Sequence, residues 1–177
     1  MTTQNVFENK TVLAGFLHER FENPTLLKVQ KALYLLWAFY AGTYGSIDYT
    51  KSDSDELAES SQYPSQLFEP DFEAWQYGPV DNTIYAQMKD NDLPTDIRTS
   101  DALMDSSTLE SSAQKENVNI FLSNLISQID NMDDFALVNR THQDSSWKDT
   151  YVSGGTHVKM SADKIKNEYK VKLEKAI

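Results

Sequence analysis

Cysteine is absent from these 177 residues. That excludes a disulfide framework, an iron–sulfur cluster, a cysteine nucleophile and a zinc site of the thiolate kind. The same absence permits the reducing cytoplasm, which is the location expected here. Positive charge is scarce: 16 Lys and Arg stand against 27 Asp and Glu, a formal net charge of −11. A sequence-independent grip on DNA or RNA needs clustered cations that displace counterions from phosphates, so no direct nucleic-acid binding is expected. Adsorption to an anionic membrane surface is disfavoured on the same ground. Long apolar runs are missing too. The best candidate, Ala32 to Ile47, is uncharged, but it contains Thr43, Gly45 and Ser46 and falls short of the roughly 20 residues a span needs. Met1-Thr2-Thr3-Gln4-Asn5 has neither the basic nor the apolar region of a signal peptide, so no leader is expected.

At 40% hydrophobic and 11% aromatic, the chain has material for a core, and its length favours one domain over residues 1–177. Leu13, Phe16, Leu17 and Phe21 recur at helical spacing, predicting a first helix from Asn9 to Glu22. Asn23-Pro24 then reads as a cap followed by a first helical residue. The second helix, about Pro24 to Tyr44, is apolar nearly all round and so should be the central post of the domain. Its polar residues Lys28, Gln30 and Lys31 are expected near its entrance, within reach of water. Leu67 to Tyr77 reads as a short aromatic-rich extended stretch, broken by Gly78-Pro79, with Pro79 opening a helix that runs to about Lys89.

Two stretches differ in composition. Residues 48–66 set Asp48, Asp53, Asp55, Glu56 and Glu59 against Lys51 alone, and residues 90–112 are acidic and rich in Ser and Thr. Both read as acidic loops, the first solvated or a docking element, the second a linker or lid. Helical periodicity returns over Gln114 to Asn131. Asp133 is placed to cap a helix from Asp134 to about Gln143, and Ser161 to cap a last one with Ile165, Tyr169 and Leu173 inward. Asp144 to Thr156 reads as a loop holding Trp147, and Ser153-Gly154-Gly155 as a turn. Residues 159–177 carry six Lys against three acids, the one basic region. The expected fold is mainly α: a compact single-domain multi-helix bundle around a central apolar helix, with one short extended element before the Tyr77-Gly78-Pro79-Val80 corner.

Catalytic patterns are missing as well. There is no GxSxG elbow, Walker loop, GxGxxG or HExxH. His18, His142 and His157 stand far apart with no partner at helical spacing, so no metal site and no cofactor is expected. His142 near Asp144 is a conceivable oriented base, but a histidine fixing a local turn is the simpler reading. Asp53/Asp55 and Asp133/Asp134 are accounted for by solvation and capping. No catalytic residue is assigned, and the chain is expected not to be an enzyme.

Val29-Gln30-Lys31-Ala32-Leu33-Tyr34 is followed by Ala74-Trp75-Gln76-Tyr77-Gly78-Pro79-Val80 with Tyr85. Then comes Thr141-His142-Gln143-Asp144-Ser145-Ser146-Trp147, with Gly154 or Gly155 and a final helix after it. In order and spacing this resembles the Panacea domain, also called the SocA-like antitoxin or phage-associated domain, over about Leu26 to Tyr169. Ser146 stands where that family tends to have Pro, and the 48–66 insertion is long. The resemblance implies a cytoplasmic, bacterial or phage-encoded antitoxin module. Such a module neutralises a cognate toxin, encoded next to it, by direct complex formation. The alternatives are a proteolytic adaptor delivering a toxin to a protease, or an acidic phage or mobile-element inhibitor of a host nuclease. A nucleotide- or peptide-directed enzyme would need a deep pocket around His142 or paired carboxylates. The residues proposed for partner binding are Trp75, Tyr77, Gly78, Pro79, His142 and Trp147. A structural reading competes with this, in which the aromatics wedge a strand-to-helix corner against the central helix.

Overall fold

A computed structural model describes residues 4–47, 62–155 and 157–176. Among them, eight helices and one two-stranded sheet enclose a single contiguous cluster of buried apolar side chains. No helix among the described residues is long and apolar enough to cross a membrane. The expected acidic loop at 48–66 lies outside the described residues over 48–61.

Helix α1 (Lys10–Arg20) starts where the Asn9 side chain accepts a hydrogen bond from the Thr11 amide at 3.0 Å, and it buries Leu13, Ala14, Phe16 and Leu17. The next helix, α2 (Leu26–Thr43), does not begin at Pro24. Thr25 is its N-cap: its hydroxyl accepts from the Lys28 amide at 3.1 Å, while the Thr25 amide bonds back to Asn23 O. Pro24 is left in the extended lead-in, because the side chain after it supplies the capping oxygen.

The prediction of a central post holds. Fourteen of the eighteen residues of α2 are buried, and other elements surround it. Its polar residues are also buried, contrary to expectation. The rest of the fold closes over the first turns of α2, and each polar group meets a backbone group there. Lys28 donates to Asp130 O at 3.0 Å. Gln30 pairs both ways with the Asp81 backbone, donating to its carbonyl at 3.2 Å and accepting from its amide at 2.8 Å. Lys31 donates to Pro79 O at 2.8 Å. Polar side chains inside an apolar helix survive burial only when paired in this way.

Strands β1 (Phe72–Trp75) and β2 (Gly78–Asp81) form an antiparallel hairpin with Trp75 opposite Gly78 and Phe72 opposite Asp81. Pro79 therefore sits in a strand, and helix α3 (Asn82–Lys89) starts three residues later, capped by Asp81 Oδ1 on the Ile84 amide at 3.0 Å. The pairing explains why proline is tolerated. Opposite Pro79, the Ala74 amide points away from β2 to Val158 O at 2.9 Å, and Pro79 O points away to Lys31. At such a position an N–H would not serve the ladder. Phe72 wedges the hairpin onto α2, its ring edge-on to Tyr34 at 5.5 Å and to Trp37 at 6.2 Å. Trp75 does not perform that role; it lies against Tyr85 of α3 at 5.0 Å.

The 90–112 stretch is not simply a loop or lid. Its α4 (Ser100–Asp105) is capped by Thr99, and Leu103, Met104 and Leu109 enter the core. Ser106 and Ser107 donate to the Leu103 and Met104 carbonyls at 2.6 Å each, closing the helix end. Helices α5 (Ser112–Asp130), α6 (Asp134–His142) and α8 (Ala162–Lys175) follow the expected pattern, with Asp133 and Ser161 as caps. Between α6 and α8 the expected loop contains a single helical turn, α7 (Ser145–Lys148).

Gly78 has φ +105°, and a Cβ there would lie 2.5 Å from Thr141 Oγ1 and 3.1 Å from Lys31 Cε. Gly78→Ala should cost about 2–4 kcal/mol, combining backbone strain with overpacking. Gly154 is the control: its φ is +77°, and a Cβ there would meet no atom within 4 Å. Gly154→Ala should cost about 1 kcal/mol, from the backbone alone. Denaturant midpoints measure both, and equal losses would show that close packing at Gly78 is irrelevant.

Candidate functional site

The hairpin turn, Gln76-Tyr77, carries the residues singled out in the sequence onto α6 and α7. The Trp147 indole donates to Trp75 O at 2.8 Å. His142 Nε2 donates to Gln76 O at 3.0 Å, the carbonyl requiring the proton on that nitrogen. The His142 ring stacks on Trp147 with centroids 4.0 Å apart, and Trp147 in turn stacks on Tyr151 at 4.9 Å. Gly78 abuts Thr141. Two strings far apart in the chain thus interlock, and all six singled-out residues meet at one end of the hairpin.

They do not play one role. Gly78, Pro79 and Trp147 are buried and hold the junction together, whereas Trp75 and His142 are half-buried. Only Tyr77 stands out into solvent, 49% exposed, edge-on to the 62% exposed Phe135 of α6 at 6.4 Å. Phe135 was not singled out in the sequence, where its place in the first turn of a helix gave no hint of exposure. An exposed aromatic pair beside a rigid junction is suited to anchoring another protein.

His142 is not oriented by Asp144. Desolvation pushes its pKa down, the bond to Gln76 O opposes this, and the nearby Lys31 charge lowers it further. It is held neutral as a donor to the turn. Asp144 instead points inward and is fully buried. Its carboxylate accepts from Tyr34 of α2 at 2.6 Å, from Arg140 of α6 at 2.9 Å, and from Tyr169 and Lys172 of α8 at 2.5 Å each. Burial alone would raise its pKa, but the donors Lys172, Tyr169 and Tyr34 outweigh burial and hold it below the ordinary value. Asp144 therefore leaves the α7 amides uncapped, and Glu168 takes them: Ser145 N and Ser146 N donate to its two oxygens at 2.6 and 2.9 Å. Asp144 was visible in the sequence, but not in this role. No local signal marked that role, because its four donors come from three separate helices.

Beside the hairpin lies a cavity of about 440 Å³, walled mainly by Leu26, Leu27, Trp75, Val80, Tyr85 and Tyr151. His142 does not line it. Among the described residues, no three His, Asp or Glu side chains are grouped to hold a metal ion.

A family model described as "Antitoxin SocA-like, Panacea domain" matches residues 55–148, more than half of the chain. The chain belongs to this family. In this Panacea-domain protein the match takes in the whole hairpin and ends at the Trp147 segment, so both interlocking strings fall within it. The α2 string, Val29 to Tyr34, precedes it. Comparison with curated proteins and with solved structures finds no match.

Proposed function

We propose that this chain is an antitoxin that neutralises a cognate toxin by direct complex formation, without making or breaking bonds itself. Membership of the SocA-like antitoxin family carries this reading. The toxin is a protein encoded beside it, and the pair acts in the cytoplasm of a bacterium or phage-infected cell without contact to nucleic acid. The contact surface in this reading is the hairpin end, where Tyr77 and Phe135 are presented on a junction fixed by His142, Trp147 and the turn. A net charge of −11 favours rapid association with a basic toxin.

The test is co-expression. The product of a neighbouring reading frame should be toxic alone and harmless with this chain, and the two should co-purify. If no neighbour is toxic, or rescue fails while both proteins are soluble, the reading is lost. Tyr77→Ala and Phe135→Ala should each weaken the complex by about 2 kcal/mol, roughly thirtyfold in Kd, while thermal stability changes little because both rings are exposed. Unchanged affinity in both variants would move the contact surface elsewhere.

A further inference from the structure

We propose that the cavity beside the hairpin binds a small, uncharged, planar aromatic molecule, its ring stacked on Tyr151. The volume, about 440 Å³, falls in the range of small-molecule sites, and the walls are largely apolar. The shape of the ligand follows from a stack of rings that stops at the wall. His142, Trp147 and Tyr151 lie ring on ring, with centroids 4.0 and 4.9 Å apart and interplanar angles of 17° and 11°. Trp147 covers one face of Tyr151, and Tyr151 lines the cavity. A further flat ring there extends the stack, with a gain beyond area burial that a saturated ring does not have. Tyr85 is less suited to that part, since its ring packs against Trp75 at 5.0 Å and lies under Lys89 at 5.6 Å.

Charge is excluded by what the wall lacks. Lys31 is the one charged residue among those lining the cavity, and it is fully buried with its amine donating to Pro79 O at 2.8 Å. A carboxylate or phosphate would therefore give up its water without meeting a cation. No acid is among the lining residues, and Lys89 stands over Tyr85, so a cationic ligand would go unpaired as well. Polar groups for an uncharged ligand remain. The Gln30 amide is used at both ends by the Asp81 backbone. The hydroxyls of Tyr85 and Tyr151, by contrast, have no hydrogen-bond partner among the described residues. A phenolic hydroxyl both donates and accepts, so either one serves a single polar group on the ligand ring.

Isothermal titration of the full chain with related probes tests this: 2-naphthol, its saturated counterpart decahydro-2-naphthol, the anion 2-naphthoate and the cation of 2-naphthylmethylamine. The flat alcohol, 2-naphthol, should bind one to one, about three- to tenfold tighter than the saturated one. It should bind about tenfold or more tighter than either ion. Tyr151→Leu should bring 2-naphthol down to the level of the saturated alcohol, whereas Tyr151→Phe, which keeps the ring, should retain most of the preference. Absence of saturable 2-naphthol binding, equal affinity for the flat and saturated alcohols, an ion bound as tightly as 2-naphthol, or an unchanged preference in Y151L would each overturn the proposal. The comparison of probes needs only the native chain, so it stands whether or not the variants fold. It needs no partner protein either, so its outcome is separate from that of the toxin reading.

Discussion

Replacing Asp144 with alanine should destabilise this protein by about 3–5 kcal/mol, enough to leave much of it unfolded at physiological temperature. The carboxylate is fully buried and is the common acceptor for Tyr34, Arg140, Tyr169 and Lys172, which come from three helices. Removing it takes the common acceptor from two hydroxyls and two cations, of which only Lys172 keeps a carboxylate, Glu168 at 3.4 Å, and stranded donors cost more than the bonds were worth. Asp144→Asn keeps the volume and one acceptor, so it should lose less, about 2–3 kcal/mol. Chemical denaturation measures both. A loss below about 1 kcal/mol for D144A would mean the four donors find other partners.

The same residue predicts an acid response. Its carboxyl titrates below the ordinary value of 3.8 in the folded state. A depressed carboxylate contributes stability that is present above its unfolded pKa and lost as pH falls through the folded one. The stability gap between wild type and D144N should therefore be constant near neutrality and shrink once the pH drops below 3.8. A gap independent of pH down to that range would assign the effect of the substitution to packing alone.

Much of the fold was legible because short-range rules decide it. Caps at Asp133 and Ser161 and the apolar spacing of α1, α2, α5, α6 and α8 are properties of a few neighbouring residues. The failures share a cause, which is a partner distant in sequence. Pro79 reads as a helix start until β1 and Lys31 are placed on either side of it. Lys28, Gln30 and Lys31 look solvated until the hairpin and the end of α5 supply backbone partners. The turn α7 has its amides capped by Glu168 of α8, so nothing local announces it. The candidate site divides in the same way. Its two strings were visible, but their interlocking through Trp147 and His142 was not, and neither was Phe135, which only tertiary placement leaves exposed.

Lys31→Met should make the protein more stable at neutral pH, by about 2–4 kcal/mol. In the folded chain desolvation lowers the lysine pKa from 10.5 to about 7, which by linkage corresponds to about 5 kcal/mol against the charged form. Methionine is close in shape and removes that penalty, but it strands Pro79 O, offsetting about 1–3 kcal/mol. The sign follows from proton counts. Between the two pKa values the unfolded chain binds the proton and the folded one does not, so the stability of the wild type rises with pH across that window. The advantage of K31M should accordingly narrow above about pH 7 and reverse before 10.5 is reached, since a neutral amine still donates to Pro79 O without a charge penalty. Paired denaturation curves at neutral and alkaline pH decide it, because other titrating groups are common to both proteins. A variant less stable than wild type at neutral pH would mean that Lys31 already has an anionic partner.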